Sequence, residues 1–296
     1  MRNNSRSFSG GSFSMGFPPF TRAIKWLVIV NASIYLVGLL FAGALPTLMG
    51  YVNALFFLRP YFVVQRLWIW QLVTYSFFHG GLFHILFNML TLWMFGATLE
   101  MEFGFNRFLE LYFFGAIGGA FTTVAIAYLG LLPPLSFLGI SPVTATLGAS
   151  GAIYAVMVVF AMLHGDQEFI MFPLPISIRA KYLVGILIFI SLAGTFQGFS
   201  TAGRGEAVAY IAHLGGALFG WLYVRVVPRR GLGFSFSERY FGMYNAYHRW
   251  KRRRAARKFE VYMRRQDRKE QIDDYTKLHD VDRDRGNGER RGPWIH

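Results

Sequence analysis

The chain of 296 residues has no cysteine. Disulfides, thiolate catalysis and cysteine-ligated zinc are therefore excluded, and cysteine usage gives no information on redox compartment. Charge is also scarce. Asp, Glu, Lys and Arg make up 16% of residues, against about a quarter in soluble domains. The first 20 residues are rich in Ser, Gly and Phe and read as disordered. They lack the charged start, apolar middle and small-residue cleavage site of a signal peptide. What fills the chain instead is apolar surface: 54% hydrophobic residues, 18% aromatic ones and a mean hydropathy of +0.35. A soluble core does not need so much, and long apolar runs point to a polytopic membrane protein.

Six segments read as transmembrane helices: 23–45, 80–98, 108–130, 150–164, 181–199 and 207–227. The fourth is short for a full span of about 20 residues. Lys and Arg set the orientation. Arg2, Arg6 and Arg22 precede the first span and Lys25 lies at its start, Arg107 lies between the second and third, and Arg179 precedes the fifth, which Lys181 opens. From Pro228 onward there are 19 Lys and Arg against 10 Asp and Glu. The positive-inside bias puts both termini in the cytoplasm. Three segments follow: a disordered N-terminus (1–22), a six-helix membrane domain (23–227) and a basic cytoplasmic tail, partly helical or disordered (228–296). The outer connection 46–78, dense in aromatics such as Trp68 and Trp70, suits a partly embedded loop whose polar backbone must be satisfied by protein or water.

Two residues stand in the wrong solvent. Ser150 opens the fourth span in Gly148-Ala149-Ser150-Gly151, and His213 lies in the sixth within Ala212-His213-Leu214-Gly215-Gly216. Polar and ionisable groups inside a membrane mark functional sites. A serine hydroxyl is a weak nucleophile until a base takes its proton, and histidine is the usual base. The orientation places both residues at similar shallow depth near the outer face. Gly148, Gly151 and Ala152 flank the serine, and Gly215, Gly216 and Gly220 follow the histidine, so the two helices can approach closely. The fourth and sixth spans contain no acid. Glu206 lies seven positions from His213, about 10 Å along a helix, which predicts a dyad without a third, acidic member. Tyr154 follows Ser150 by four residues, on the same helix face, where its ring can pack on the imidazole.

The second span supplies donors. In His79-Gly80-Gly81-Leu82-Phe83-His84-Ile85-Leu86-Phe87-Asn88, His84 and Asn88 share a face at i and i+4. Both can donate to a developing oxyanion, and the Ser150 N–H at a helix start is a further donor.

Together these residues resemble the rhomboid family of intramembrane serine proteases. The resemblance rests on His79-x4-His84-x3-Asn88, Gly96-x2-Leu99-Glu100, Gly148-x-Ser150-Gly151 and Ala212-His213-x2-Gly216-x3-Gly220, in that order, over roughly residues 23–227. It implies an all-α membrane protein with a six-transmembrane-helix bundle. It also implies Ser150 as nucleophile, His213 as general base, and an oxyanion site of His84, Asn88 and the Ser150 N–H. Tyr154 then packs on the histidine, and Gly148, Gly151 and His79 support the site. One departure stands out. Many members carry a Trp-Arg pair in the first outer loop, where this chain reads Arg66-Leu67-Trp68-Ile69-Trp70.

The expected activity is hydrolysis of peptide bonds in or near transmembrane segments of membrane proteins, without cofactor or metal. The alternative is an inactive relative that binds or escorts membrane proteins, which typically loses the nucleophile or base that this chain retains. Zinc held by His79, His84 and His213 is a weaker reading, since no His-Glu-x-x-His motif is present. A transporter with a histidine relay would need intramembrane acids that the fourth and sixth spans lack. Glu100 reads as satisfying backbone groups or a cation at a helix end. The cluster from Arg249 to Lys258 suits anionic lipids as well as solvent. No nucleic-acid module is recognisable. The absence of an evident organelle-targeting segment points to a bacterial plasma membrane.

Overall fold

The computed structural model describes residues 18–133, 140–171, 176–200, 204–227 and 232–287. Most of the segment expected to be disordered (1–22) therefore lies outside the described residues. Two compact units are distinguished, residues 1–232 and 233–296.

Within the first unit, helices occupy every segment that reads as a span. They are α1 (Arg22–Ala42), α5 (Leu82–Phe103), α6 (Phe105–Leu129), α7 (Ser150–His164), α8 (Ala180–Ser200) and α9 (Arg204–Val226). Three of them, α1, α5 and α6, are long and apolar enough to cross a membrane, and α7 and Ala180–Phe196 are shorter apolar helices. The chain is an integral membrane protein with an all-α bundle. A small antiparallel hairpin, β1 (Glu168–Met171) and β2 (Ile176–Arg179), joins α7 to α8. Beside it, Lys181 donates to Asp166 at 2.7 Å and holds that exposed carboxyl below its ordinary range.

The connection 46–78 differs from the loop expected of it. It folds into α2 (Pro46–Phe56), α3 (Pro60–Gln65), α4 (Gln71–Thr74) and a 3-10 turn (Tyr75–Phe77). Pro46 and Pro60 open the first two, where a preset φ helps and the missing N–H costs nothing. The carbonyls left over at the end of α2 find side-chain donors. Gln71 donates to Ala54 O at 2.8 Å, Trp70 Nε1 to Leu55 O at 2.8 Å and Thr74 to Phe56 O at 2.8 Å. Gln71 Oε1 also accepts from Arg59 N at 3.0 Å. Trp68 stacks on Trp70 with ring centroids 5.5 Å apart. Side chains of the segment thus satisfy part of its polar backbone, as apolar surroundings require.

α7 lies at the centre, packed by α6 and α9, and is buried from Gly151 to Phe160. An apolar helix without a polar face belongs in such a position. Glu100, buried near the end of α5, reaches the start of α1. It accepts from Ala23 N at 2.7 Å, from Ile24 N at 3.0 Å and from the Thr21 hydroxyl. The acid thus serves as the missing N-cap of a helix 77 positions away in sequence, with its charge at the positive end of the dipole. This agrees with the structural role read for Glu100.

Among its described residues the second unit is formed by α10 (Leu232–Asn287), carrying the basic cluster Arg249–Lys258 on exposed positions. It runs through the tail that reads as partly helical or disordered as far as Asn287.

Glu100→Ala leaves two N–H groups of α1 without their acceptor. The expected loss is about 1–3 kcal/mol of stability. Denaturant titration of purified protein in detergent measures it, and an unchanged midpoint would remove this cap from the account of folding.

Candidate active site

Ser150 is the first residue of α7, and His213 lies in the interior of α9. Their distance is set by how closely the two backbones meet one turn away. A Cβ on Gly216 would lie 1.9 Å from Gly151 O, and one on Gly220 would lie 2.6 Å from Ala155 O. Neither position admits a side chain. α6 closes on the same point, where a Cβ on Gly119 would lie 2.8 Å from Ala212 O. With the backbones this close, His213 Nε2 and Ser150 Oγ are 2.8 Å apart, a hydrogen bond. Both residues are half-buried, so the pair is held firmly and still touches the surface.

The imidazole is fixed on its other sides. Tyr154 stacks on it with centroids 4.4 Å apart and planes 7° apart, and Tyr210 meets it edge-on at 6.1 Å. His213 Nδ1 is 3.3 Å from Ser191 Oγ on α8, and Ser191 Oγ is 2.8 Å from the Tyr154 hydroxyl. The sequence reading missed Ser191. Its visible signal was a hydroxyl within Leu187–Leu192, but nothing in the sequence pairs that position with His213. Glu206 belongs to the part of α9 whose side chains lie outside the described residues.

Ahead of α7, Gly148 has φ +124°, a region that L side chains rarely adopt. Its N–H donates to Tyr75 O at 3.0 Å. A Cβ there would meet His84 Nε2 at 2.8 Å and Ser150 Oγ at 3.6 Å, so both groups border the space that the missing side chain leaves. His84 Nδ1 accepts from Gly80 N at 3.4 Å, an arrangement that puts the ring proton on Nε2 and makes it a donor toward that space. Asn88, one turn further along α5, is buried, and its Nδ2 has no partner among the described residues. His79 packs edge-on against His84 with centroids 5.1 Å apart, a supporting position. The Ser150 N–H, in the first turn of α7, has no acceptor within its helix.

Ser150 and Tyr154 of α7, His213 of α9 and His84 of α5 therefore lie around one point, with Asn88 one turn beyond His84. A serine hydroxyl bonded to an imidazole stands beside the His84 Nε2 donor, an arrangement suited to acyl transfer. Among the described residues, no group of three His, Cys, Asp or Glu side chains is placed to hold a metal ion.

A model of the rhomboid domain matches residues 66–230. "Rhomboid protein 1, mitochondrial" from Saccharomyces cerevisiae is 31% identical over 172 residues, covering 56% of this chain and 45% of the yeast protein. "RHOMBOID-like protein 12, mitochondrial" from Arabidopsis thaliana is 32% identical over 154 residues, covering 49% and 43%. "Rhomboid-like protein 19" from the same plant is 26% identical over 219 residues, covering 72% and 64%. The chain thus spans less than half the length of the first two relatives and less than two thirds of the third.

The close approach of α7 and α9 makes a sharp prediction. Gly216→Ala drives a methyl group into Gly151 O and lowers the melting temperature by several degrees or prevents folding, as overpacking of about 1–3 kcal/mol would. Gly38→Ala in α1 meets nothing within 4 Å and serves as the control. Equal melting temperatures for the two variants would contradict the packing described.

Proposed function

The chain belongs to the rhomboid family, and we propose that it is an intramembrane serine endopeptidase that cleaves membrane proteins with Ser150 and His213. The observation that carries this reading is the 2.8 Å hydrogen bond between Ser150 Oγ and His213 Nε2, with His84 Nε2 bordering the same space. A membrane protein of this family with only a binding role has no need of a base on its serine.

On this reading the catalytic domain is 23–227, its six helices span the bilayer, and both termini face the cytoplasm. A substrate helix enters from the lipid and unwinds locally, because a helical peptide bond is shielded. Ser150 Oγ attacks the scissile carbonyl carbon as His213 Nε2 takes its proton. The carbonyl oxygen becomes an oxyanion held by His84, Asn88 and the Ser150 N–H. His213 then protonates the leaving amine and an acyl-enzyme remains. Water attacks the ester, giving its proton to His213, and the acid product leaves as Ser150 is reprotonated. No step requires a metal or a cofactor. The substrates are transmembrane proteins, and the basic tail 228–296 adds attraction to anionic lipids on the cytoplasmic leaflet. The expectation of a bacterial plasma membrane draws no support from the relatives, two of which carry "mitochondrial" in their names.

Cleavage of a model transmembrane substrate in liposomes tests the reading. Ser150→Ala and His213→Ala abolish cleavage. His84→Ala and Asn88→Ala each lower kcat about a hundredfold, in keeping with the loss of one oxyanion donor. A fluorophosphonate probe labels the parent protein but not Ser150→Ala. Undiminished cleavage in both Ser150→Ala and His213→Ala would sink the proposal and favour a binding or escort role.

A further inference from the structure

We propose that Ser191 is a positioning residue that fixes the proton of His213 on Nδ1 and so makes Nε2 a base. The inference rests on the protease reading above and adds a residue from α8 to it.

The argument is one of donors and acceptors. Four contacts run in a line: Ser150 Oγ to His213 Nε2 at 2.8 Å, His213 Nδ1 to Ser191 Oγ at 3.3 Å, Ser191 Oγ to Tyr154 OH at 2.8 Å and Tyr154 OH to Leu187 O at 3.3 Å. The last group, a backbone carbonyl, can only accept. If Tyr154 donates to it, the phenol oxygen accepts from Ser191. The Ser191 oxygen then accepts from Nδ1–H, and Nε2 accepts from Ser150. Every contact is a hydrogen bond, and each of the four donors has one acceptor.

The opposite direction fails at both ends. Tyr154 would donate to Ser191 and Ser191 to Nδ1, which puts the ring proton on Nε2. Leu187 O would lose the phenol, and Ser150 would face a donor where it needs a base. Only the first arrangement is catalytically useful, and it makes one more hydrogen bond.

The same arrangement survives the reaction. When His213 takes the serine proton, Nδ1–H continues to donate to Ser191 Oγ, so nothing behind the ring must turn. A partner preorganised in this way favours the charged form without reorganisation. Ser191 is buried, with 1% of its surface exposed, so water does not compete for Nδ1 from that side. One turn along α8, the Thr195 hydroxyl donates to Ser191 O at 2.8 Å. A neutral hydroxyl thus orients the base in this chain, and Tyr154 both stacks on the ring and accepts from the residue that orients it.

Threonine and valine have nearly the same shape and differ in the hydroxyl, so the pair separates hydrogen bonding from packing. In the full chain, Ser191→Val lowers kcat about tenfold at unchanged KM, the loss of one hydrogen bond in the transition state, while Ser191→Thr restores much of it. Equal activity of the two variants, whether high or low, overturns the inference. Ser191→Ala, which only removes an atom, gives a second reading through the rate of fluorophosphonate labelling. A tenfold slower rate with an unchanged melting temperature supports the role, and an unchanged rate overturns it. Ser150→Ala run alongside separates the two claims. If it is dead while Ser191→Val keeps full kcat, the protease reading stands and this inference falls. If Ser150→Ala cleaves like the parent protein, both fall.

Discussion

Backbone contact between α7 and α9 is the constraint on which the site depends. Gly216 presses on the carbonyl of Gly151, and Gly220 on that of Ala155. A serine and a histidine have short reach, so a 2.8 Å bond between them demands helices closer than ordinary side chains allow. Lipid tails are as apolar as leucine, so burial of apolar side chains does little to draw such helices together. Small residues allow the dispersion and weak polar contacts that do. The glycines therefore do two jobs at once. They supply the association of the helices, and they set the spacing at which the imidazole can accept from the hydroxyl.

The second constraint is polar. On the protease reading proposed above, His213 becomes charged in apolar surroundings, which is costly, and a paired carboxylate would bring its own desolvation penalty. The described side chains around His213 contain no acid. The ring instead meets an aromatic face, an aromatic edge and a hydroxyl. Neutral dipoles fixed in place stabilise a transient charge without a permanent one to bury, and low dielectric strengthens them.

Motifs that act through local spacing were legible in the sequence. Ser150 with Tyr154, and His84 with Asn88, lie at i and i+4, so helix geometry alone puts each pair on one face. The segments for α1 and α5 to α9 could be read from apolar runs, and α7 was located at 150–164, its observed bounds. What escaped was long-range or locally irregular. Ser191 meets His213 only because α8 packs beside α9, and no spacing rule links residues 22 positions apart. The helices α2 to α4 were hidden because short segments carry too little periodicity to separate from a loop. Their prolines at the first helical position were the available signal. The role of Glu100 was half legible: its use at a helix end, for backbone groups or a cation, was foreseen, but not the helix it caps.

Those short helices bear on why the site can exist at this depth. At 15 residues α7 is about 22 Å long, against a hydrocarbon layer of about 30 Å. Several ångströms ahead of Ser150 must be filled by polypeptide that is not helical, and such backbone is stable in a membrane only where protein or water satisfies it. The segment before α7 finds its partners in the 46–78 connection. Leu58 and Thr146 exchange backbone bonds at 3.0 and 2.9 Å, Tyr61 N donates to Pro142 O at 2.9 Å, and Gly148 N donates to Tyr75 O at 3.0 Å. Tyr75 is itself buried, its hydroxyl tied to Ala116 O at 2.8 Å in α6. The aromatic connection is thus the frame that lets α7 begin late. A helix that began earlier would have engaged the Ser150 N–H in its own ladder. Because α7 starts at Ser150, that N–H has no acceptor within its helix, and on the protease reading proposed above it can face a reacting carbonyl.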